Sequence, residues 1–591
     1  MLRHITSPMY HDLSSSTMIA EASTDDETKW WRGAVIYQIY PRSFQDSNAD
    51  GVGDLNGITQ RLPYIKALGV DAIWICPFYA SPMHDGGYDV SDYRAVHPLF
   101  GTLDDFDALI GCAHQHGLKV MIDLVLSHTS NEHAWFLQSS RLPEGKYGDW
   151  YVWADPLQVT GADGSVVRLP PNNWVSLFGG SSWQWHADRQ QYYLHNFWPT
   201  QPDLNFHSAA VQDAVLDVVR FWLDRGVDGF RIDTANYFFH DTLLRNNPPA
   251  AEIHARADGL PAGTEYAKQQ HVHDKSQPEN LKFLARLRSL MDTYPNRTLL
   301  AEIGDDDALE RMAEYTAGSQ RFHMAYSFHL LEDNFDLPTI VQLVAQIDHR
   351  LSDGWPCWSL SNHDVPRVIT RWFPDATSER QARMSIVLLA FLLSLRGSVC
   401  LYQGDELGLD EADVPFEQLQ DAFGIAHWPK FKGRDGCRTP MPWTAREPLC
   451  DFSSAAQGWL PIGRTHVEKN AEAQSKLPAS VLSTTQRLLA WRQQSAALKL
   501  GSFAISTLEG GGLCIRRSYQ DEHIVVLLNF STDELRINDP ALQGAEVIAE
   551  LTAISGQWEG ATLRLPPSSA TYLKQVGIND GDVQLKNGDK L

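Results

Sequence analysis

The chain has 591 residues, with 49 basic and 73 acidic side chains and a formal net charge of −24. This length exceeds one ordinary domain and predicts two or three, with enough material for a large core. The negative charge disfavours nucleic acid and anionic membranes as partners by simple repulsion, and favours a neutral small molecule. Seven Cys without a CxxC pair or zinc spacing indicate reduced thiols in a cytoplasmic protein.

The two ends of the chain differ from the rest in composition. Residues 1–29 are polar, rich in Ser and Thr, and lack the apolar stretch of a signal peptide, so we expect a disordered extension. Residues 576–591 form a polar tail. No run reaches the roughly 18 to 20 apolar residues of a membrane span. The nearest, SIVLLAFLLSLRG from Ser385, predicts a buried helix. We expect no membrane partner and either a monomer or a homodimer.

From Ala34 onward, apolar strand candidates alternate with amphipathic helices, which is typical of βαβ units around a parallel sheet. Eight such candidates predict a closed (β/α)₈ barrel over residues 30–128 and 207–500. They are AVIYQIYPRSF, VDAIWICPF, LKVMIDLVLSH, VDGFRIDTA, TLLAEIG, HMAYSFHLL, CWSLSNHD and SVCLYQGDE.

Two further regions do not follow the barrel pattern. Residues 129–206 are too long for a simple loop and rich in Trp, Gly, Pro and Asn, so they predict an inserted subdomain after the third strand, over the active-site face. Residues 501–575 contain short alternating segments such as HIVVLLNFS, separated by turn residues. They predict a C-terminal antiparallel β-sandwich domain.

Three of the strand candidates end on a carboxylate, at Asp233, Glu302 and Asp364. The carboxyl ends of barrel strands carry the active site in this architecture. Cleavage of a glycosidic bond requires one carboxylic acid to protonate the leaving oxygen and a second carboxylate to act on the anomeric carbon. Any one of these acids could be a helix cap or a surface residue, but three at strand ends favour a catalytic site.

The motifs around these acids carry a family resemblance. VIYQIYPRSF, YDVSDY, DLVLSHTS, QPDLNF, GFRIDTA, AEIG, SNHD and TPMPW follow one another in this order. From about residue 30 to 575 the chain resembles glycoside hydrolase family 13, the α-amylase family, in its α-glucosidase and oligo-1,6-glucosidase branch. The resemblance implies Asp233 as nucleophile, Glu302 as general acid and then base, and Asp364 as the acid that stabilises the transition state. It also implies a set of residues that bind the innermost glucosyl ring: Asp89, His128, Arg231, His363 and Arg438.

The residues themselves predict how these acids differ. Arg231 lies two positions before Asp233 and should lower its pKa, while a less polar setting should keep Glu302 partly protonated. A retaining mechanism predicts that the two carboxyls lie about 5 to 5.5 Å apart, and an inverting one about 6.5 Å or more. Tyr88, Phe178 and Phe197 are candidate pocket walls, although core packing would also explain the two phenylalanines. A structural role is the alternative for His128.

A second site is predicted in the segment DSNADGVGD, which places oxygen ligands at Asp46, Asn48, Asp50 and Asp54. This spacing resembles the opening of a calcium-binding EF-hand loop, but Gly57 stands where such a loop has its final Glu. The family resemblance adds the carbonyl of Val52 as a ligand. We expect a structural Ca²⁺ and no organic cofactor; a hydrogen-bonded turn is the alternative.

Thr234, directly after the predicted nucleophile, bears on the linkage that is cleaved. In the branch that this chain resembles, threonine or alanine here accompanies α-1,4 preference and valine accompanies α-1,6 preference. We therefore expect an α-glucosidase that acts on maltose-like oligosaccharides and α-glucosides, with transglucosylation. An oligo-1,6-glucosidase and a dedicated α-glucosyltransferase remain open. A non-catalytic binding subunit is disfavoured because all three carboxyls are present and no membrane span is predicted.

Overall fold

The structure is a computed structural model that describes residues 29–160, 163, 165–250, 264–333, 335–351 and 354–575. The predicted N-terminal extension up to residue 28 and the polar tail from residue 576 lie outside the described residues.

Eight parallel strands form the centre of the molecule, and each lies within one of the eight predicted segments. Their side chains are almost all buried on both faces, which explains the continuous apolar runs of the sequence. The strands are β1 Val35–Ile39, β2 Ala72–Ile75, β3 Lys119–Leu124, β4 Gly229–Ile232, β5 Thr298–Ile303, β6 Met324–Ser327, β7 Cys357–Trp358 and β8 Ser398–Tyr402. The sheet order is β6-β5-β4-β3-β2-β1-β8-β7, and a parallel bridge from Ala325 to Pro356 joins the two edge strands. The predicted (β/α)₈ barrel is thereby confirmed.

Helices cover the outside of the barrel with their apolar faces turned inward. In Ala209–Asp224, for example, Val211, Val215, Val218 and Trp222 recur at helical spacing and are buried. Within the described residues, no helix is both long and apolar enough to cross a bilayer. The helices are α1 Leu55–Leu68, α2 Leu103–Gln115, α3 Ala134–Arg141, α4 Ala209–Asp224, α5 Asn280–Met291, α6 Ala308–Thr316, α7 Leu337–Arg350, α8 Val368–Trp372, α9 Ser378–Ser394, α10 Ala422–His427, α11 Ala471–Ser475, α12 Val481–Gln494 and α13 Ala496–Leu500.

The long connection after β3 contains α3 and two small sheets. A three-stranded sheet is built from Trp153–Ala154, Gln191–Leu194 and Trp183–His186, and a separate hairpin pairs Leu157–Thr160 with Val166–Leu169. The three-stranded sheet shares a small core with the buried side chain of Trp174. This insertion lies next to the barrel's carboxyl-end loops, because Leu204 N donates to the carbonyl of Ser127 at 2.9 Å.

The C-terminal region is antiparallel, as predicted. One sheet has five strands and the other has three, and Leu527 and Leu573 of the first share an apolar core with Leu563 and Leu565 of the second. In chain order the strands are β9 Ser502–Leu508, β10 Gly512–Tyr519, β11 Glu522–Asn529, β12 Leu535–Ile537, β13 Glu546–Val547, β14 Gln557–Glu559, β15 Thr562–Leu565 and β16 Ser569–Gln575.

Candidate active site

A pocket opens at the carboxyl end of the barrel, where the loops after β2 to β8 meet. Three carboxylates predicted from the sequence, Asp233, Glu302 and Asp364, line it together. The pocket is also lined by five other predicted site residues: Tyr88, His128, Phe178, Phe197 and Thr234.

Arg231 connects the acids on one side of this pocket. Its side chain is fully buried on β4, and Nη1 donates to Asp233 Oδ1 at 2.6 Å and to Asp123 Oδ1 at 2.8 Å. Nη2 donates to Glu302 and, at 3.1 Å, to the hydroxyl of Tyr326, which in turn donates to Glu302 Oε1 at 2.9 Å. One guanidinium therefore holds three buried carboxylates in fixed positions.

This sharing changes the acidity expected for the nucleophile candidate. Burial raises the pKa of Asp233 to about 7 and the pKa of Glu302 to about 7, even though Arg231 opposes the shift in both. Burial likewise raises the pKa of Asp123 to about 6. Arg231 does lower the pKa of Asp233, as expected, but burial raises it by more, so the net shift in the free site is upward. A single positive charge cannot compensate three carboxylates that have lost their water.

Asp364, on the opposite side, lies in a different electrostatic setting. Its Oδ1 accepts from Arg438 Nη2 at 3.0 Å and from Arg434 Nη1 at 3.2 Å, and His363 Nε2 lies 3.2 Å from Oδ2. Burial would raise the pKa of Asp364, but His363 and the two arginines hold it well below its usual range. Burial lowers the pKa of His363 to about 3. At neutral pH this ring is uncharged, and Asp364 is a carboxylate paired with arginines.

The structure corrects the position of one predicted sugar ligand. Asp89 is fully buried and does not line the pocket, because its carboxylate accepts from Ser81 Oγ and His84 N, both at 2.8 Å. It shapes the loop after β2. The residue that lines the pocket is Asp85, whose Oδ1 accepts from Arg434 Nη2 at 2.8 Å.

The arginine that lines the pocket is likewise not one of those predicted. Arg438, Arg231 and His363 are buried behind the pocket wall, where they contact the carboxylates, whereas Arg434 itself lines the pocket. Sequence reasoning missed Asp85 and Arg434, although each lies within four positions of a predicted residue. Other lining residues that it missed are Leu177, Gln201, Tyr237, Gly304, Phe328, Phe423 and Phe431.

The remaining predicted residues are held by short contacts. The hydroxyl of Tyr88 donates to Asp123 Oδ2 at 3.0 Å, and its ring stacks on His363 with 5.3 Å between centroids. His128 contacts the carbonyl of Tyr88 at 3.0 Å and Gln201 Nε2 at 3.2 Å. Burial lowers the pKa of His128 to about 4, so it serves as a neutral hydrogen-bonding group.

Thr234 is unusual in its backbone. Its φ of +43° lies in the left-handed region, where a β-branched residue is strained. Its hydroxyl lies 2.9 Å from Ser127 Oγ and 3.3 Å from Asp233 Oδ2, and its N–H donates to Glu302 Oε2 at 3.2 Å. The strained turn thus places Thr234 in contact with both acids.

The predicted calcium loop lies at the start of α1, away from the pocket. The carboxylate of Asp46 accepts from the N–H groups of Asn48 and Gly51 at 2.9 and 2.8 Å. Asp54 caps α1 and accepts from Gly57 N at 2.7 Å, while Asp50 Oδ1 accepts from Val52 N at 2.8 Å. Among the described residues, no group of three or more His, Cys, Asp or Glu is placed to hold a metal. Backbone N–H groups donate to the carboxylate oxygens of this loop, which forms a hydrogen-bonded turn. Calcium binding stays a prediction.

The pocket at the carboxyl end of the barrel brings together three acids, and further polar side chains surround them. This combination is typical of a glycoside hydrolase. Residues 38–501 match the model of the alpha amylase catalytic domain. The chain belongs to this family, glycoside hydrolase family 13, in the glucosidase branch.

Named relatives agree with this assignment. The chain is 51% identical to a probable alpha-glucosidase of Rhizobium meliloti (strain 1021), over 86% of this chain and 91% of the relative. It is 34% identical to an oligo-1,6-glucosidase of Heyndrickxia coagulans, over 87% and 94%. Among solved structures, the alpha-glucosyl transfer enzyme XgtA matches with a TM-score of 0.87 at 51% identity, over 93% of this chain and 99% of that one.

Proposed function

We propose that this glycoside hydrolase is a retaining α-glucosidase that removes terminal glucose from α-1,4-linked oligosaccharides and other α-glucosides. The observation that carries the proposal is that Arg231 donates hydrogen bonds to both Asp233 and Glu302 and so keeps the two carboxyls close together in the pocket. A covalent glucosyl intermediate on Asp233 and proton transfer by Glu302 are the chemistry that such a pair supports.

The acidity of the pair suits this division of labour. With both pKa values at about 7, the two groups hold between them about one proton at neutral pH. In the reactive form Glu302 carries the proton and Asp233 is ionised, so that Asp233 attacks the anomeric carbon while Glu302 protonates the leaving oxygen. Glu302, then ionised, takes a proton from the incoming water or alcohol, which displaces Asp233. The two groups titrate as a pair, and their apparent pKa values belong to both.

Asp364 has a separate role in the proposal. Paired with Arg434 and Arg438, it stays ionised and can accept hydrogen bonds from hydroxyls of the bound ring. It can also stabilise the positive charge that develops in the oxocarbenium-like transition state. Asp85, Arg434, His128 and Gln201 offer further polar groups around the same ring. Asp364 and these four residues, here called the polar floor, suit one terminal glucosyl unit, which supports a terminal glucosidase.

Thr234 supports the choice of the α-1,4 linkage, because the family resemblance associates threonine at this position with maltose-type substrates. The test is a comparison of initial rates of glucose release from maltose and from isomaltose by the purified protein. Faster release from maltose supports the proposal. Release from isomaltose that is several times faster would replace it with an oligo-1,6-glucosidase.

Transfer of glucose to another hydroxyl is the second candidate, favoured by the 51% identity to a solved chain named as an alpha-glucosyl transfer enzyme. Hydrolysis and transfer share the intermediate on Asp233 and differ in the acceptor. Product analysis with maltose as the sole substrate separates them. Glucose alone indicates hydrolysis, and new oligosaccharides in the early phase of the reaction indicate transfer.

We propose separately that the loop from Asp46 to Asp54 binds a structural Ca²⁺. Bound Ca²⁺ would stabilise the native chain and raise its Tm by mass action. We propose measuring Tm after chelation and again after addition of Ca²⁺, in the wild type and in Asp50→Ala. A Tm that rises only in the wild type supports a site, and equal curves leave a hydrogen-bonded turn.

A further inference from the structure

The pocket has a second wall that the chemistry above does not use. A series of rings, here called the aromatic collar, also lines the pocket: Phe431, Phe423, Phe178, Phe197 and Tyr237. Successive ring centroids lie 4.9, 5.1, 6.1 and 5.4 Å apart. The collar joins three separate parts of the chain: the segment after β8, the insertion after β3, and the loop after β4. Along this wall a ligand therefore meets mainly ring carbons.

Phe423 connects the segment after β8 to the insertion and lies on the short helix α10. Asp421 caps that helix, its Oδ1 accepting from Phe423 N at 3.3 Å. The helix also packs closely on the returning chain. A Cβ on Gly424 would lie 2.6 Å from the Cα of Gly433 and 2.7 Å from the carbonyl of Lys432. The position of the Phe423 ring is thus fixed by a cap and a close backbone contact.

Asp421 makes a second set of contacts, with the polar floor. It is buried, and its carboxylate accepts from Arg434 Nη2 at 2.7 Å, from Arg434 Nε at 3.2 Å and from Arg434 N at 2.8 Å. The same guanidinium contacts Asp364 and Asp85. Asp421 does not line the pocket, but its carboxylate contacts one residue of the floor and one residue of the collar.

We propose that Asp421 is a positioning residue that holds Arg434 and Phe423 in a fixed relation, and that Phe423 determines which groups are accepted outside the glucosyl ring. Such a collar favours a leaving group or acceptor with a flat apolar face, such as an aryl group, over a second sugar. The hydroxyls of a sugar would lose water against ring carbons without gaining partners. This inference rests on the proposed α-glucosidase function.

The test compares kcat/KM for p-nitrophenyl α-glucoside with kcat/KM for maltose, as a selectivity ratio. Phe423→Ala should lower the ratio about 2- to 10-fold, the range expected for loss of one aromatic contact. Asp421→Ala should lower it in the same direction. Because Asp421 acts on selectivity through Phe423, the double variant should show no further fall in the ratio than Phe423→Ala alone. Asp421→Asn, which keeps a capping side chain but loses the charge, should fall between wild type and Asp421→Ala.

Gly424→Ala tests the position of Phe423 without changing Asp421. Gly424→Ala keeps the charge of Asp421 and the ring of Phe423 but forces α10 away from Gly433, so it should lower the same ratio. Asp413→Asn is the matched control, because Asp413 pairs with Lys432 at the exposed edge of the same segment. It should leave the ratio unchanged.

The outcomes separate this inference from the proposed function. The inference is overturned when Asp421→Ala and Gly424→Ala fold, as judged by Tm, but keep the wild-type ratio within twofold. It is also overturned when the effects of Asp421→Ala and Phe423→Ala multiply. Should Asp421→Ala not fold, Gly424→Ala and Asp421→Asn decide. A wild type that cleaves neither substrate refutes the proposed function itself.

Discussion

On one side of the pocket floor, the single guanidinium of Arg231 serves three buried carboxylates, whereas on the other side two guanidiniums, those of Arg434 and Arg438, converge on Asp364. Both sides are built from hydrogen-bonded ion pairs, although the side chain of Asp364 is 25% exposed and those of Asp233 and Glu302 are buried. The number of charges differs, and with it the acidity: the carboxyls around Arg231 have raised pKa values, while the pKa of Asp364 is lowered.

The comparison shows that an arginine next to a carboxylate does not by itself determine acidity. Desolvation raises the pKa of each carboxyl, and the outcome depends on how many positive charges share the work. The three carboxyls around Arg231 share one guanidinium and retain protons, which suits proton transfer. Asp364 shares two guanidiniums with Asp85 and Asp421 and stays ionised, which suits binding and charge stabilisation.

The largest effect is expected from Asp233→Asn. The amide keeps the shape but cannot attack the anomeric carbon, so activity on p-nitrophenyl α-glucoside should fall roughly 10⁴- to 10⁶-fold, as for other nucleophile deletions. Single-turnover and steady-state assays measure it. A variant that kept wild-type turnover would refute the nucleophile assignment and with it the functional difference between the two sides.

The next effect concerns the side around Asp364. Arg434→Gln leaves Asp364 with one arginine and removes a partner of Asp85 and of Asp421, so kcat/KM should fall roughly 10²-fold, as for a broken buried pair. Because a positive neighbour is lost, the pKa of Asp364 should rise but stay below that of Asp233, so the acid limb of kcat/KM, set by Asp233 at about 7, should not move. A pH profile of kcat/KM measures both the fall and the limb. A fall of less than about tenfold would mean that Arg434 contributes little to the position and ionisation of Asp364.

Stability should distinguish the two sides by sign. The folded pKa of Asp233 is raised, so its ionisation costs stability increasingly as pH rises from the ordinary carboxyl value through about 7. Asp233→Asn should therefore stabilise the protein by about 1 to 2 kcal/mol above pH 7, and less at acidic pH. Asp364→Asn should destabilise it by about 1 to 3 kcal/mol at neutral pH, because Arg434 and Arg438 each lose one carboxylate partner. Thermal unfolding at two pH values measures both, and equal signs would contradict the comparison.

The smallest effect is expected from Asp123→Asn. This change removes one of the three carboxylates on Arg231 and frees the guanidinium for Asp233, and both consequences lower the pKa of Asp233. The acid limb of kcat/KM should then move to lower pH by about one unit or less. A limb that stays in place would show that crowding of carboxylates around Arg231 does not raise the pKa of Asp233.

The sequence was sufficient for the barrel because its strands are buried on both faces and therefore read as continuous apolar runs. All eight predicted segments contain a barrel strand, and the antiparallel end follows from alternating short segments. The three acids could also be predicted from the sequence, because each comes at the end of such an apolar run. Elements with strong local patterns are the ones that sequence reasoning places well.

The rest depends on which side chains meet across loops, and this information is not local. Asp85 and Asp89 lie on the same loop, and only the fold decides which faces the pocket and which is used up by loop N–H groups. The acidity of Asp233 depends on Asp123, which lies on β3, and on Asp364, which follows β7. Phe423 and Phe178 are 245 positions apart in the chain, yet their rings touch.

The join between β6 and β7 has a consequence for how the site opens. β7 has only two residues, and its contact with β6 is one bridge, from Ala325 to Pro356, supported by a single backbone bond of 3.4 Å from Ala325 N to the carbonyl of Trp355. The join between β3 and β4, by contrast, pairs four residues on each strand. Local opening of a protein begins where the fewest backbone bonds protect the chain. Amide hydrogens around this join should exchange faster than those of β3 and β4, so that the barrel parts first along the line that separates Arg231 and its carboxylates from Asp364.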